Sequence, residues 1–121
     1  MMTENRPWGS FTILKEGLDY KVKLLYVLPG RRLSLQRHRY RDENWTIVSG
    51  RAAVTVDGQR TLLNPGETIR IGRGQWHRVR CHGENPLEII EVQIGECIEA
   101  DIERKADDYG RADISEESLV Q

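Results

Sequence analysis

Apolar and polar positions alternate in short bursts along this chain, and turn residues separate the bursts. Phe11-Thr12-Ile13-Leu14 comes first, then the long run Tyr20 to Leu28, closed by Pro29-Gly30. Leu33 and Leu35 precede Trp45-Thr46-Ile47-Val48, which ends at Gly50. Ala53-Val54-Thr55-Val56 runs into Asp57-Gly58, a dipeptide that favours a two-residue hairpin turn between strand-forming runs. Asn64-Pro65-Gly66 marks a turn before Thr68 to Ile71, and Gly72 and Gly74 punctuate the chain before Trp76 to Arg80. After the loop His82 to Pro86, Leu87 to Ile94 is the last clear strand. Strands recurring about every 8–12 residues, with no helical period among them, predict an all-β sandwich or small barrel. From Glu96 the chain turns acidic and polar. A short helical turn is expected over Ala100 to Lys105, and a frayed end over Ala112 to Gln121.

Length and composition narrow the class. A chain of 121 residues makes one domain, 1–121, with a core over 6–95 and an extension over 96–121. Its 18 basic and 19 acidic residues give a net charge of −1, which argues against a nucleic-acid or anionic-membrane partner. No apolar run approaches the roughly 20 residues of a membrane span, and the opening MMTENRPWGS lacks the apolar core of a signal peptide. Cys81 and Cys97 have no metal or redox spacing. A cytoplasmic protein is expected, with both cysteines inert.

Four residues carry candidate chemistry. Residues two apart on a strand share a face, so Ser34, Gln36 and His38 point one way and Leu33, Leu35 and Arg37 the other. Glu43 follows after a short connection, and Gly72 to Trp76 forms a turn that could bring His77 to the same point. Two imidazoles, a carboxylate and an amide oxygen would suit one divalent ion; Zn, Mn, Fe, Co and Ni all tolerate such ligands. The plain alternative is that each is an ordinary surface or hydrogen-bonded side chain.

The spacing is similar to the two motifs of the cupin superfamily. Gly30, Gln36-x-His38, Glu43 and Gly50 fall on the first, with Gln36 where the first His usually stands. Gly66, Gly72-x-Gly74 and His77 fall on the second, with Gly72 for Pro and Cys81 for Asn. More closely, residues 6–111 resemble the type II mannose-6-phosphate isomerase domain, found in bifunctional mannose-1-phosphate guanylyltransferase/mannose-6-phosphate isomerase proteins. The residues that carry it include Arg6-Pro7-Trp8-Gly9, Arg41, Glu43, Trp45, His77-Arg78, Glu91-Val92-Gln93 and Asp107-Asp108-Tyr109-Gly110-Arg111. The resemblance implies a cupin, that is, a double-stranded β-helix or jelly-roll barrel with a short C-terminal extension. It also implies a homodimer, and a bound divalent metal with Zn favoured, on Gln36, His38, Glu43 and His77. Interconversion of mannose 6-phosphate and fructose 6-phosphate is the activity it implies. A non-catalytic cupin that binds a phosphosugar or sugar nucleotide, or another sugar isomerase or epimerase, are the alternatives.

Tyr40 and Asn44 replace two histidines of the family pattern. The family treats the positions of Arg41 and Asn44 as important for isomerisation, and Asn cannot act as an acid or base near neutral pH. No counterpart of the guanylyltransferase domain appears in the chain.

Arg41 is the first choice for a catalytic and substrate-binding cation, placed in the connection at the barrel mouth, with Lys23 second. Lys23 shares a strand face with Lys21 and reads equally as a solvated side chain. Arg37, Arg39 and Arg41 read as a basic rim or as plain surface. Alternation points Arg78 away from His77, for a surface or structural role. Trp8, Trp45 and Trp76 read as packing, His82 as exposed, and Tyr109 and Arg111 as packing back over the barrel. No general base stands out once Glu43 is a ligand.

Overall fold

The alternating runs form antiparallel strands throughout, in a computed structural model that describes residues 2–111. The end expected to fray, Ala112 to Gln121, lies outside the described residues. The strands are β1 (Met2–Arg6), β2 (Gly9–Glu16), β3 (Tyr20–Val27), β4 (Leu35–Arg37), β5 (Arg41–Ser49) and β6 (Arg51–Val56). They continue with β7 (Gln59–Leu63), β8 (Thr68–Ile71), β9 (His77–His82), β10 (Leu87–Gly95) and β11 (Glu103–Ala106). One sheet has the order β1-β2-β3-β10-β5-β8 and the other β11-β4-β9-β6-β7. No helix occurs among the described residues.

The two sheets enclose one apolar core. Phe11, Leu25, Val27, Trp45, Ile47, Ile71, Leu87 and Ile89 come from the first sheet; Ala52, Val54, Leu63, Val79 and Cys81 come from the second. Removing each larger side chain from water stabilises the fold by about 1.5–3 kcal/mol. The inward positions change chemistry halfway along the central strands. On β10 they are Leu87 and Ile89, then Glu91 and Gln93; on β3 they are Lys21 and Lys23, then Leu25 and Val27. On β5 Arg41 and Glu43 precede Trp45 and Ile47. Pairing matches these halves, with Glu91 opposite both Lys23 and Trp45 and Gln93 opposite both Lys21 and Glu43. One end of the barrel is therefore apolar and the other charged.

The expected helical turn at Ala100 to Lys105 is instead a bend followed by strand β11, which pairs with β4. The three-residue β4 leaves backbone groups open on that side, and β11 satisfies them. Side chains add to the join. The guanidinium of Arg37 lies 4.5 Å from the centroid of the Trp76 ring and the ammonium of Lys105 lies 4.7 Å from it. Trp8 and Trp45 are core residues as expected, whereas Trp76 is half-buried between these two cations. Strands β1 and β4 extend the sequence reading, and β7 completes the hairpin that Asp57-Gly58 announced.

Two turn glycines differ in what surrounds them. Gly58 has φ +82° with open space where a Cβ would go. Gly50 has φ +79°, and a Cβ there would collide with the Pro86 carbonyl and press on Leu87 Cα. Gly58→Ala is expected to cost about 1–2 kcal/mol, the left-handed penalty alone. Gly50→Ala is expected to cost distinctly more, because the loop before β10 must move. Urea unfolding of both variants checks this, and equal losses would contradict the packing at Gly50.

Candidate metal centre

The charged end of the barrel brings together residues from β4, β5 and β9. His38 follows β4 directly, Glu43 is the third residue of β5, and His77 opens β9. All three are buried, with Glu43 and His77 each 1% exposed. One ligand atom from each lies within 4.8 Å of the others. His38 Nε2 is 3.4 Å from Glu43 Oε2, and His77 Nε2 is 3.4 Å from Glu43 Oε1. Gln36 sits directly opposite His77 in the β4–β9 pairing, and its Oε1 accepts a hydrogen bond of 3.0 Å from Ser34 Oγ.

Each imidazole is oriented from behind. Nδ1 of His38 lies 2.7 Å from the Asp101 carbonyl oxygen, and Nδ1 of His77 lies 2.9 Å from that of Gln75. A carbonyl only accepts, so each Nδ1 donates and each Nε2 faces Glu43. A hydrogen bond behind the ring is the usual way a ligating imidazole is held. Glu43 Oε1 and His77 Nε2 are buried with no hydrogen-bond partner among the described residues. Two orphaned lone-pair atoms facing each other at 3.4 Å, with a second imidazole beside them, fit a shared cation. His38, Glu43 and His77 thus form a group able to hold a metal ion.

The electrostatics follow from burial. Burial pushes the His38 pKa down to about 4, against the pull of Glu43. Burial would raise the Glu43 carboxyl, but His77, His38 and Arg41 outweigh it and hold it well below the carboxylate range. Burial also opposes a charge on His77, yet Glu43 beside it lifts its pKa above that of a free imidazole.

Arg41 is not in a connection at the rim. It opens β5, is buried, and points inward. Its Nε donates to Glu43 Oε2 at 2.9 Å, its Nη2 lies 3.3 Å from His38 Nε2, and its Nη1 donates to the Ile98 carbonyl at 3.3 Å. The basic rim read at Arg37, Arg39 and Arg41 does not form. β4 stops at Arg37, the chain bends over 38–40, and alternation restarts at Arg41. Lys23 is buried rather than solvated; its Nζ donates to Glu99 Oε1 at 2.5 Å, which also takes Lys21 at 3.4 Å. Arg78 has the structural role expected, donating to the Leu33 and Ala106 carbonyls. Tyr109 packs on the core, and Arg111 lines the cavity beside the cluster.

A family model described as "Mannose-6-phosphate isomerase C-terminal" matches residues 2–108. The chain belongs to that family. Among its relatives is the alginate biosynthesis protein AlgA of Pseudomonas aeruginosa, 48% identical over 107 residues. That match covers 88% of this chain and 22% of AlgA. A mannose-1-phosphate guanylyltransferase of Escherichia coli is 44% identical over 107 residues, again 88% of this chain and 22% of the relative. The chain therefore spans about a fifth of the length of these relatives. An RmlC-like cupin from Shewanella frigidimarina superposes with a TM-score of 0.73 at 18% identity, covering 82% of this chain and 86% of that one. The fold is the cupin fold. No described helix is long and apolar enough to cross a membrane.

Both departures from the family's histidine pattern lie outside the barrel. Asn44 is exposed on the outer face of β5, opposite in direction to Glu43 and Trp45, and Tyr40 is exposed in the bend before β5. What the linear reading missed lies inside. Glu91 and Gln93 on β10 are buried at the charged end, and Glu91 accepts from Trp45 Nε1 at 2.9 Å. The signal was present in the alternation of β10, which puts residues 87, 89, 91 and 93 on one face.

Adding Zn²⁺ or Co²⁺ to chelator-stripped protein is expected to raise its Tm, by about 2.7 kcal/mol of stability at a hundredfold excess over Kd. His77→Ala is expected to remove that gain, and a variant stabilised as much as the parent would exclude this cluster. A second expectation concerns Glu91, whose pKa burial and the Glu43 charge raise from 4.5 to about 7. A raised carboxyl gives stability that is present below pH 4.5 and lost as pH rises through 7. Relative to Glu91→Gln, the parent should therefore lose on the order of a few kcal/mol between those limits. Parallel stability–pH curves would contradict it.

Proposed function

We propose that this chain is a metal-dependent sugar-phosphate isomerase that interconverts mannose 6-phosphate and fructose 6-phosphate. The observation that carries the reading is the charge of the barrel cavity next to His38, Glu43 and His77. Among the described residues Arg6, Lys23, Arg41, Arg104 and Arg111 line it with two carboxylates, Glu91 and Glu99, while Arg6, Arg41 and Arg111 also pair with Glu4, Glu43 and Asp107 outside the lining. A cavity of about 160 Å³ with that excess of cations suits a small, doubly negative phosphosugar. The family description and the names of the relatives, which concern mannose 1-phosphate and alginate, favour mannose over other sugars.

His38, Glu43 and His77 would hold one divalent ion, with Gln36 as a fourth ligand; zinc suits the set best, and Mn, Co, Fe or Ni are tolerated. When bound, that ion supplies a Lewis acid for the sugar oxygens. Arg41 stabilises negative charge that develops on those oxygens, since its guanidinium already lies against Glu43 and His38. Lys23 binds the phosphosugar from the opposite strand, exchanging part of its contact with the half-exposed Glu99 for the substrate. Neither Asn44 nor Tyr40 lines this cavity, which supports activity without the family's two histidines.

A coupled assay on chelator-stripped protein, reloaded with one metal at a time, tests the reading. Turnover of mannose 6-phosphate is expected with at least one metal and is lost in His77→Ala. Arg41→Lys should lower kcat about 100-fold, the usual effect of removing a fixed charge-stabilising donor, whereas Asn44→His should leave it within about twofold. Folded protein that binds mannose 6-phosphate without turnover under any metal would leave a binding protein and overturn the isomerase.

A further inference from the structure

Aldose–ketose exchange needs a group that removes a proton from one sugar carbon and returns it to the next. Inside the barrel His38, Glu43 and His77 are committed to the metal cluster. Of the two carboxylates lining the cavity, Glu99 is half-exposed and clasped by Lys23 and Lys21. Glu91 differs in burial and in pairing. It is buried, it lines the cavity, and no ion pair reaches it among the described residues.

Among the described residues its oxygens take only neutral donors. The Trp45 indole Nε1 donates to Oε2 at 2.9 Å, and the Gln93 amide Nε2 donates to Oε1 at 2.6 Å. Each carboxylate oxygen can accept twice, so each keeps a lone pair for a proton. Both donors are fixed by strand register. Trp45 lies opposite Glu91 and Gln93 lies opposite Glu43, so Glu91 stands one inward position from the cluster. The Trp45 ring also meets His77 edge-on, with centroids 5.7 Å apart. Lys23, directly opposite Glu91 on β3, shares the cavity with it.

Resting on the isomerase reading, we propose that Glu91 is the general base that carries the proton between C2 and C1 of the sugar. Its carboxylate takes the C2 proton, and the C–H electron pair becomes the C1–C2 double bond while the C1 carbonyl pair moves onto O1. The O2 hydroxyl proton passes to O1. The pair left on O2 closes the C2 carbonyl as C1 receives the proton from the Glu91 carboxyl. Nothing is consumed, and Glu91 ends as a carboxylate. A buried carboxyl that holds only neutral donors and keeps a lone pair on each oxygen can both take a proton and give it back.

The test follows the proton in the metal-loaded full chain. With mannose 6-phosphate in D₂O, the parent should turn over and place deuterium on the reacting carbons in the fraction of turnovers in which the Glu91 proton exchanges with solvent before its return, read by NMR. Glu91→Gln should lower kcat at least about 100-fold, abolish deuterium uptake, and leave KM and metal content within about twofold. Glu91→Asp, which keeps the carboxylate and shortens its reach, should lower kcat while retaining deuterium uptake. It carries the test alone should the Gln variant not fold, and an unchanged kcat in it would then overturn the proposal. Glu91→Gln that turns over within tenfold of the parent, or that loses metal together with activity, would overturn the role of Glu91 and leave the isomerase standing. No turnover or deuterium uptake by the parent with any metal would overturn the isomerase, and this inference with it.

Discussion

Burying the Glu43 carboxylate is the constraint on which the charged end of this barrel depends. Glu43 is 1% exposed, deeper than any ion can sit without compensation. Its Oε2 takes Arg41 at 2.9 Å and faces His38 at 3.4 Å, and its Oε1 faces His77. Removing the carboxylate would strand the buried Arg41 guanidinium, and removing Arg41 would strand the carboxylate. Such pairs add little net stability but are destructive to break. What they supply is position: the imidazoles and the guanidinium are aimed at one point because one carboxylate holds them there.

Holding that cluster takes more than the strands that bear it. The inward faces of β3 and β10 change from apolar to charged at the same level and β5 one inward position further on, where the Trp45 indole meets Glu91, so the charged residues meet across the sheet rather than intruding on the core. The apolar half supplies the stability that the polar half spends. The segment after β10 then closes the charged end. Glu99 neutralises Lys21 and Lys23, the Ile98 carbonyl takes Arg41, and the Asp101 carbonyl fixes His38. The Asp101 carboxylate also takes the amides of Arg39 and Tyr40, at 2.9 Å each. The extension is thus part of the site's wall, tied to the very residues whose direction matters.

Much of this was legible in the linear chain, for physical reasons. Alternation over β3, β5 and β10 is strict because one face of each meets a closed interior, and the glycines at 50, 58, 66 and 74 mark turns with positive φ. The fixed spacing of His38, Glu43 and His77 survived because each lies at or next to a strand end. Other features were hidden because they depend on partners distant in sequence. Lys23 reads as solvated until Glu99, 76 residues away, arrives to neutralise it. Ala100 to Lys105 lacks a strand's pattern because an edge strand with Trp76 beneath it is held by cation stacking more than by apolar burial. Arg41 reads as a connection residue because the apolar run that marks β5 begins only at Trp45, whereas the strand's pairing with β10 begins at Arg41, opposite Gly95.

The same geometry reweighs the departures from the family pattern. A substitution matters to chemistry only if its side chain shares the reacting space. Asn44 lies between Glu43 and Trp45 in sequence but on the opposite face of β5, so strand alternation separates it from both by the thickness of the sheet. Tyr40 stands in the exposed bend, where its backbone amide rather than its ring is tied into the site. The loss of two histidines therefore leaves the interior set of His38, Arg41, Glu43, His77 and Glu91 untouched. A linear motif weights neighbouring letters alike, whereas a strand sends alternate letters to different solvents. Position 44 faces water and position 40 lies in the exposed bend, while the charge at this end of the barrel is carried by residues that alternate inward.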